Sequence, residues 1–463
     1  MILRKNFSVI LILPLFFNFI FNFFTNKIYL NLLGADFINL GSTLLLFLFL
    51  YFLGKAIKQT FQLHMISTGI LFYFSSIFLF DNIFLFFTKN YSFSLIFLIF
   101  NFILAGYLIY KKRAPKELLS LSAIYLVNLL FNKGFSNLFN LQIPVKGDVE
   151  VQWYPMAKNI YNENYFYSLS NPFLEGYGQL ISYTHAVLLK INFNLSDFEF
   201  LRSTTNVLFF LGILLLFELD IKNKHKILSM LAFAILILNS EWLNYLFIDS
   251  LMGEGVVSYF FAVGILSLFK EVKSLNQNNL TVYLIFGTIY FTKQFITLMV
   301  LIICISLLIY KNTRKYGLIS FIPLLINEIN LITTLKNGKR DAYASNFDFK
   351  DTILDLLTNT NLKIENAYTI FSNLLKDRPF TYLLLLFIFS FLLIAKKRKK
   401  FDREFLTVFC LFFLNLILIF TLYISVWRNM PELESPIRFI LNFFHIIIAY
   451  TFINLNDFEF SDN

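Results

Sequence analysis

Long apolar runs separated by short polar intervals dominate this chain, and the runs have the length of a bilayer crossing. A window of about 20 residues, enough to span roughly 30 Å of hydrocarbon, predicts helices near 7–24, 38–54, 64–80, 93–110 and 118–134. The same window finds further runs near 203–219, 226–241, 253–269, 280–292, 296–310, 316–334, 380–396, 404–425 and 437–454. The first run lacks the small-residue cleavage site of a signal peptide and is too long for one, so it reads as a retained helix. A remaining run, 177–192, is short, carries Ser182, Thr184 and His185, and ends near Lys190. It reads as a helix lying on, or dipping into, the outer leaflet.

Composition agrees with the pattern. Hydrophobic residues make up 57% of the chain and charged residues only 15%, where a soluble domain carries about 25% charge; the mean hydropathy is +0.67. The expectation is an all-α polytopic integral membrane protein with about 12–14 transmembrane helices, short interfacial helices and an acidic loop on its outer face. The 62 Phe residues, beside many Ile, Asn and Lys, fit an A/T-rich genome and carry no functional argument. Cys304 and Cys410 both fall inside apolar runs, which argues against a disulfide framework or a cysteine metal site.

A net charge of +10 raises the question of nucleic acid, and the distribution of charge answers it. Basic residues sit in short clusters between apolar runs: Arg4/Lys5, Lys55/Lys58, Lys111/Lys112/Arg113/Lys116, Lys222/Lys224/Lys226, Lys270/Lys273, Lys311/Arg314/Lys315 and Lys396–Lys400/Arg403. Together they hold 22 of the 39 Lys and Arg residues, and counting crossings from the N-terminus puts them all on one side. They are topology signals that obey the positive-inside rule, provided that 177–192 does not cross. Nucleic acid is not an expected partner.

That count brings four polar intervals, 135–202, 240–252, 335–379 and 426–436, to the opposite, outer face. It divides the chain into N-terminal helices of unassigned role (1–134), a core with its outer loop (135–310) and C-terminal helices (311–463). The first outer interval holds Asp148 and Glu150 after Gly147, then a short helix opened by Pro155 and running to about Asn162, with Trp153, Ala157 and Ile160 on one face. Trp153 and Tyr154 suit headgroup depth, and an interfacial helix preceded by an exposed acid explains the segment without chemistry.

Asp249 stands at the start of an apolar helix, where a carboxylate caps free N–H groups and meets the positive end of the helix dipole. Lys293 lies in an apolar hairpin, Ile289-Tyr-Phe-Thr-Lys-Gln-Phe-Ile-Thr297. A lysine at membrane depth costs about 3 kcal/mol on insertion scales, so it calls for a partner or a role, or else snorkels to the interface. Arg438 opens the last run with a forked cation suited to phosphate, or to plain headgroup contact.

The order of these segments resembles the GT-C superfamily of polytopic glycosyltransferases, which take a sugar from a polyprenyl-phosphate carrier. The resemblance rests on Asp148-x5-Tyr-Pro-Met-Ala-Lys158, Asn171-Pro-Phe-Leu, Tyr245-Leu-Phe-Ile-Asp249, Gly287-x4-Thr-Lys-Gln294 and Ser435-Pro-Ile-Arg-Phe439. It covers roughly 135–310 and, more weakly, 427–450, and it points to the bacterial branch similar to protein O-mannosyltransferases and lipid A aminoarabinose transferases. This chain departs from that branch in placing five runs before the acidic loop, where the family usually has one, and in reducing the usual paired prolines to Pro172.

The resemblance implies an inverting transferase in the bacterial inner membrane with an extracytoplasmic site. Its partners would be a polyprenyl-phosphate sugar donor, a glycan, lipid or protein acceptor, and membrane lipids. In that reading Asp148 is the base that takes the acceptor's proton, with Glu150 a second candidate. Lys293 and Arg438 stabilise the charge growing on the lipid phosphate, and Tyr154, Lys158 and Glu175 line the substrate and phosphate side. Asp249 and Glu175 hold a divalent cation such as Mg2+ or Mn2+, orient the acceptor, or pair with Lys293 to keep it charged.

The interval 335–379, with Phe347, Phe349, Ile353, Leu356, Leu357, Ile364 and Tyr368, predicts short amphipathic helices that form a cap or an interfacial connector. No Gly-rich phosphate loop, Cys/His zinc set or Ser-His-Asp order is present in the sequence. Two other classes compete with transfer: a flippase or transporter of a lipid-linked saccharide, with Lys293 and Arg438 lining a pathway, and an O-antigen polymerase or ligase.

Overall fold

The computed structural model describes residues 34–88, 153–162, 180–191, 197–239, 243, 253–274, 279–309, 311–326, 358, 360–376, 378–397, 403–424 and 440–460. Among them the elements are α1 (Gly34–Thr60), α2 (Ile66–Thr88), α3 (Tyr154–Tyr161), α4 (Leu180–Ile191), α5 (Asp197–Phe217), α6 (Asn223–Asn239) and α7 (Glu254–Lys273). They continue with α8 (Leu280–Thr288), a 3-10 turn (Ile289–Phe291), α9 (Gln294–Ile309), α10 (Arg314–Ser320), α11 (Thr360–Lys376), α12 (Arg378–Lys397), α13 (Arg403–Ile424) and α14 (Phe444–Phe460). The chain is all-α, and no strand occurs among the described residues. Two helical stretches there, Ile66–Phe84 and Glu254–Lys273, are long and apolar enough to cross a membrane, and both are mostly buried in the helical core.

The central helices pack antiparallel. Thr68 Oγ1 and Ser267 Oγ lie 2.5 Å apart near one end of α2 and α7, and the Phe74 and Phe260 rings meet at 5.8 Å further along. α5 lies alongside, bringing Glu218 to the start of α2, and α14 with the residue before it closes the group through Phe261–Phe443 and Phe269–Tyr450 ring contacts. α1 and α2 form a tight hairpin: a Cβ on Gly69 would lie 2.2 Å from the Gly54 carbonyl oxygen. Only glycine on both helices lets the backbones approach this closely.

α3 forms where Pro155 and the Trp153/Ala157/Ile160 spacing predict it. Pro occupies its first turn, and Trp153, Met156, Ala157 and Ile160 are buried against α4. Trp153 is therefore packed inside protein. The same holds for the described part, 180–191, of the run that sequence reads as lying on or dipping into the outer leaflet. Every residue from Leu180 to Leu188 is buried, because α4 is enclosed by α2, α3 and α5. Its polar residues fit that setting, with Thr184 Oγ1 returning its proton to the Leu180 carbonyl at 2.8 Å.

α11 bears out the amphipathic reading of its part of 335–379. Ile364, Tyr368, Phe371 and Leu375 stand exposed on one face at 4-3-4 spacing, while Asn366 and Ile370 are buried.

The two ends of the bundle differ in charge. Lys58, Lys226 and Lys270 gather at the end where α1 and α7 finish and α6 begins: Lys270 is close enough to interact electrostatically with both other lysines, and Lys226 and Lys270 with Glu218 and Asp220. Lys293 lies at the opposite end, beside the first residue of α7.

Candidate functional site

The local sequence explains why a lysine is fixed at that end. α8 gives way at Thr288 to a 3-10 turn, and Thr292 Oγ1 donates to the Ile289 carbonyl at 2.8 Å. Thr297 Oγ1 reaches back to the carbonyls of Tyr290 (2.5 Å) and Lys293 (3.0 Å). Short hydroxyl side chains compete in this way for backbone carbonyls that a continuous helix would use itself. The break leaves Lys293 between two apolar helices, 7% exposed.

Its ammonium donates to Glu254 Oε1 at 2.5 Å. Glu254 is the first residue of α7 and is fully buried, so its carboxylate also meets the positive end of that helix. Gly253 precedes it, and a Cβ there would come within 2.5 Å of Ile181 Cδ1 on α4. A charged pair this deep needs both partners, because removing one strands the other's charge away from water.

A second buried acid lies nearby. Asp81 of α2 is fully buried and accepts the Tyr183 hydroxyl of α4 at 2.5 Å. Phe78, one turn earlier on α2, joins the two pairs: its ring lies 5.2 Å from Tyr183 and 5.2 Å from Phe291, two residues before Lys293. One turn beneath Glu254, Ser258 Oγ lies 2.8 Å from His445 Nδ1 and accepts the His445 backbone N–H at 3.1 Å. Elements from widely separated parts of the chain thus bring an ammonium, two carboxylates, a phenol and an imidazole to one end of the core.

The acids at the other end are used differently. Glu218 accepts the backbone N–H groups of Ile66 (2.5 Å) and Ser67 (2.9 Å) and the Ser67 hydroxyl (2.7 Å), serving as the N-terminal cap of α2. Glu271 accepts the Asn279 N–H at 3.1 Å and lies 3.2 Å from His64 Nε2, tying two loops together.

Lys293 is thus placed beside a carboxylate, that of Glu254; its expected pairing with Asp249 or Glu175 falls on residues outside the described ones. Tyr154 opens α3, and Lys158 lies on its exposed side. Asp148, Glu150, Glu175, Asp249 and Arg438 lie outside the described residues. Among the described residues, no group of three or more His, Cys, Asp or Glu could hold a metal ion. Asp81 and Glu254 are the residues that the sequence reading missed. The signal for both was present, a single carboxylate bordering an apolar run, as for Lys293.

No protein-family model, curated protein or solved structure matches this chain. The chemistry must therefore be argued from the side chains. A desolvated ammonium already seated against one anion is suited to receive another of similar size, and a carboxylate–phenol pair beside it can hold or accept a hydroxyl proton.

Proposed function

We propose that this chain is a polytopic membrane glycosyltransferase of the GT-C type. It moves a sugar from a polyprenyl-phosphate donor to an acceptor on the outer face of the membrane, with inversion at the anomeric carbon. The observation that carries this reading is the buried Lys293–Glu254 pair, set where the charge pattern of the sequence assigns the outer face. Leaving-group phosphate gains charge as the glycosidic bond breaks, and a fixed cation in a water-poor setting stabilises that charge most. Asp148 remains the proposed base and Arg438 a second phosphate ligand; a divalent cation at Asp249 or Glu175 belongs to the same proposal.

The placement of buried charge favours transfer over transport. Between Glu254 and Lys270, α7 carries no charged residue, so the ionic groups of the core helix stand at its two ends rather than along its depth. A translocation pathway for a charged headgroup calls for charge or water through that depth.

The test is to reconstitute the purified protein in lipid with radiolabelled polyprenyl-phosphate sugars and an extract of envelope acceptors. Transfer of label to an acceptor, lost in Asp148→Asn, which inserts normally, and lost per folded molecule in the less stable Lys293→Met, is the expected result. Label that crosses the bilayer with its phosphate bond intact would identify a transporter and overturn the proposal.

A further inference from the structure

Lys293 meets a carboxylate where the proposed reaction needs it to meet a phosphate. Glu254 Oε1 stands at 2.5 Å from the ammonium, and both side chains are buried. A lipid phosphodiester that reaches the same ammonium places its own negative charge within contact distance of Glu254. Two like charges this close, away from water, do not both stay ionised.

We propose that the phosphodiester takes Lys293 over from Glu254, and that Glu254 takes up a proton from solvent as it is displaced, so that donor binding is proton-linked. This rests on the assignment of Lys293 to the lipid phosphate. The only bond change is a proton transfer: a hydronium or buffer acid gives up its proton and one O–H bond forms on the Glu254 carboxylate, so net charge at the site stays constant, one incoming negative charge being matched by one incoming proton. Glu254 then acts as a positioning residue. It keeps the ammonium charged and aimed in the empty site, and gives it up on loading.

The linkage has a definite sign. If the loaded site holds a proton that the empty site lacks, affinity rises as pH falls, by up to about tenfold per pH unit. Among the described residues, the other titratable groups brought to this end are Asp81 from α2, Tyr183 and His185 from α4, Tyr259 from α7, Tyr290 from the 3-10 turn and His445 from α14. Each must be separated from Glu254 by experiment.

The probe is a short-chain polyprenyl-phosphoryl-mannose, a diester whose charge does not titrate near neutrality. Its binding to the full-length protein in nanodiscs is measured by calorimetry at about pH 6 and about pH 8, in two buffers of different ionisation enthalpy. Expected are uptake of close to one proton per diester and tighter binding at the lower pH. In Glu254→Gln the uptake and the pH dependence both disappear, and the diester raises the melting temperature more than in wild type because it supplies the missing anion.

Wild type alone already decides the matter if the variant does not fold. Identical heats in both buffers, with pH-independent binding, would overturn the proton linkage and leave the transferase reading intact. Proton uptake that persists in Glu254→Gln and vanishes in His445→Gln or Asp81→Asn would assign the linkage elsewhere and overturn it too. Absence of diester binding at either pH would remove the lipid-phosphate role of Lys293 itself.

Discussion

Both ends of the helical core bury carboxylates, and the two ends treat them in opposite ways. At the lysine-rich end, where Glu271 is buried, the half-buried Glu218 is consumed by the fold, accepting two backbone N–H groups and a hydroxyl at the start of α2. At the other end Glu254 and Asp81 are held by side chains, an ammonium and a phenol. A carboxylate spent on orphan N–H groups lowers the cost of starting a helix. A carboxylate spent on a movable side chain in the interior makes no helix more stable by that contact, and its burial costs free energy that packing must offset. That contrast is the reason to seek chemistry at the Lys293 end.

The sharpest way to break the comparison is to remove one partner of the buried ion pair. Lys293→Met leaves Glu254 buried without its ammonium, and a loss of about 3–5 kcal/mol is expected. Unfolding followed by denaturant or heat in detergent measures it. The double variant Glu254→Gln/Lys293→Met is expected to recover most of that stability, because two neutral side chains of similar size fill the same space, yet to show no sugar transfer. A double variant as unstable as the single one would mean that the pair serves the fold, as Glu218 does.

Next in size is the Asp81–Tyr183 contact. Tyr183→Phe removes the hydroxyl from a buried carboxylate and is expected to cost about 1–3 kcal/mol. If the two pairs form one site around Phe78, transfer falls further than the loss of folded protein accounts for. An activity per folded molecule equal to wild type would confine Asp81 and Tyr183 to a structural role.

At the opposite end, Glu218→Ala strips the acceptor from the first turn of α2. The expected loss is about 1–2 kcal/mol, with transfer per folded molecule unchanged. A selective loss of transfer would erase the distinction between the two ends.

The fold was legible where one physical cause dominated. Apolar length placed α2, α7, α12 and α13, and Pro155 with the Trp153/Ala157/Ile160 spacing placed α3. Burial of α4 was not legible, because Ser182, Thr184 and His185 look the same beside water as beside three other helices. The need of Lys293 for a partner could be read from its cost, but the partner could not. A contact across 39 residues of sequence depends on where α7 begins relative to the break after α8, and no local pattern fixes that. The partner of Asp81 was hidden in the same way, since it lies on α4, 102 residues away.

The smallest expected effect tests the lysine-rich end once more. His64 is about one-third exposed and lies 3.2 Å from Glu271, whose carboxylate also accepts the Asn279 N–H. His64→Ala therefore leaves Glu271 with its backbone donor and in reach of water through the gap. Because a partly exposed pair contributes little, a loss of under about 1 kcal/mol is expected, with no change in transfer. A loss comparable to that of Lys293→Met would mean that Glu271 depends on a side-chain partner as Glu254 does. The two ends of α7 would then be equivalent, and a buried ion pair would no longer single out the site.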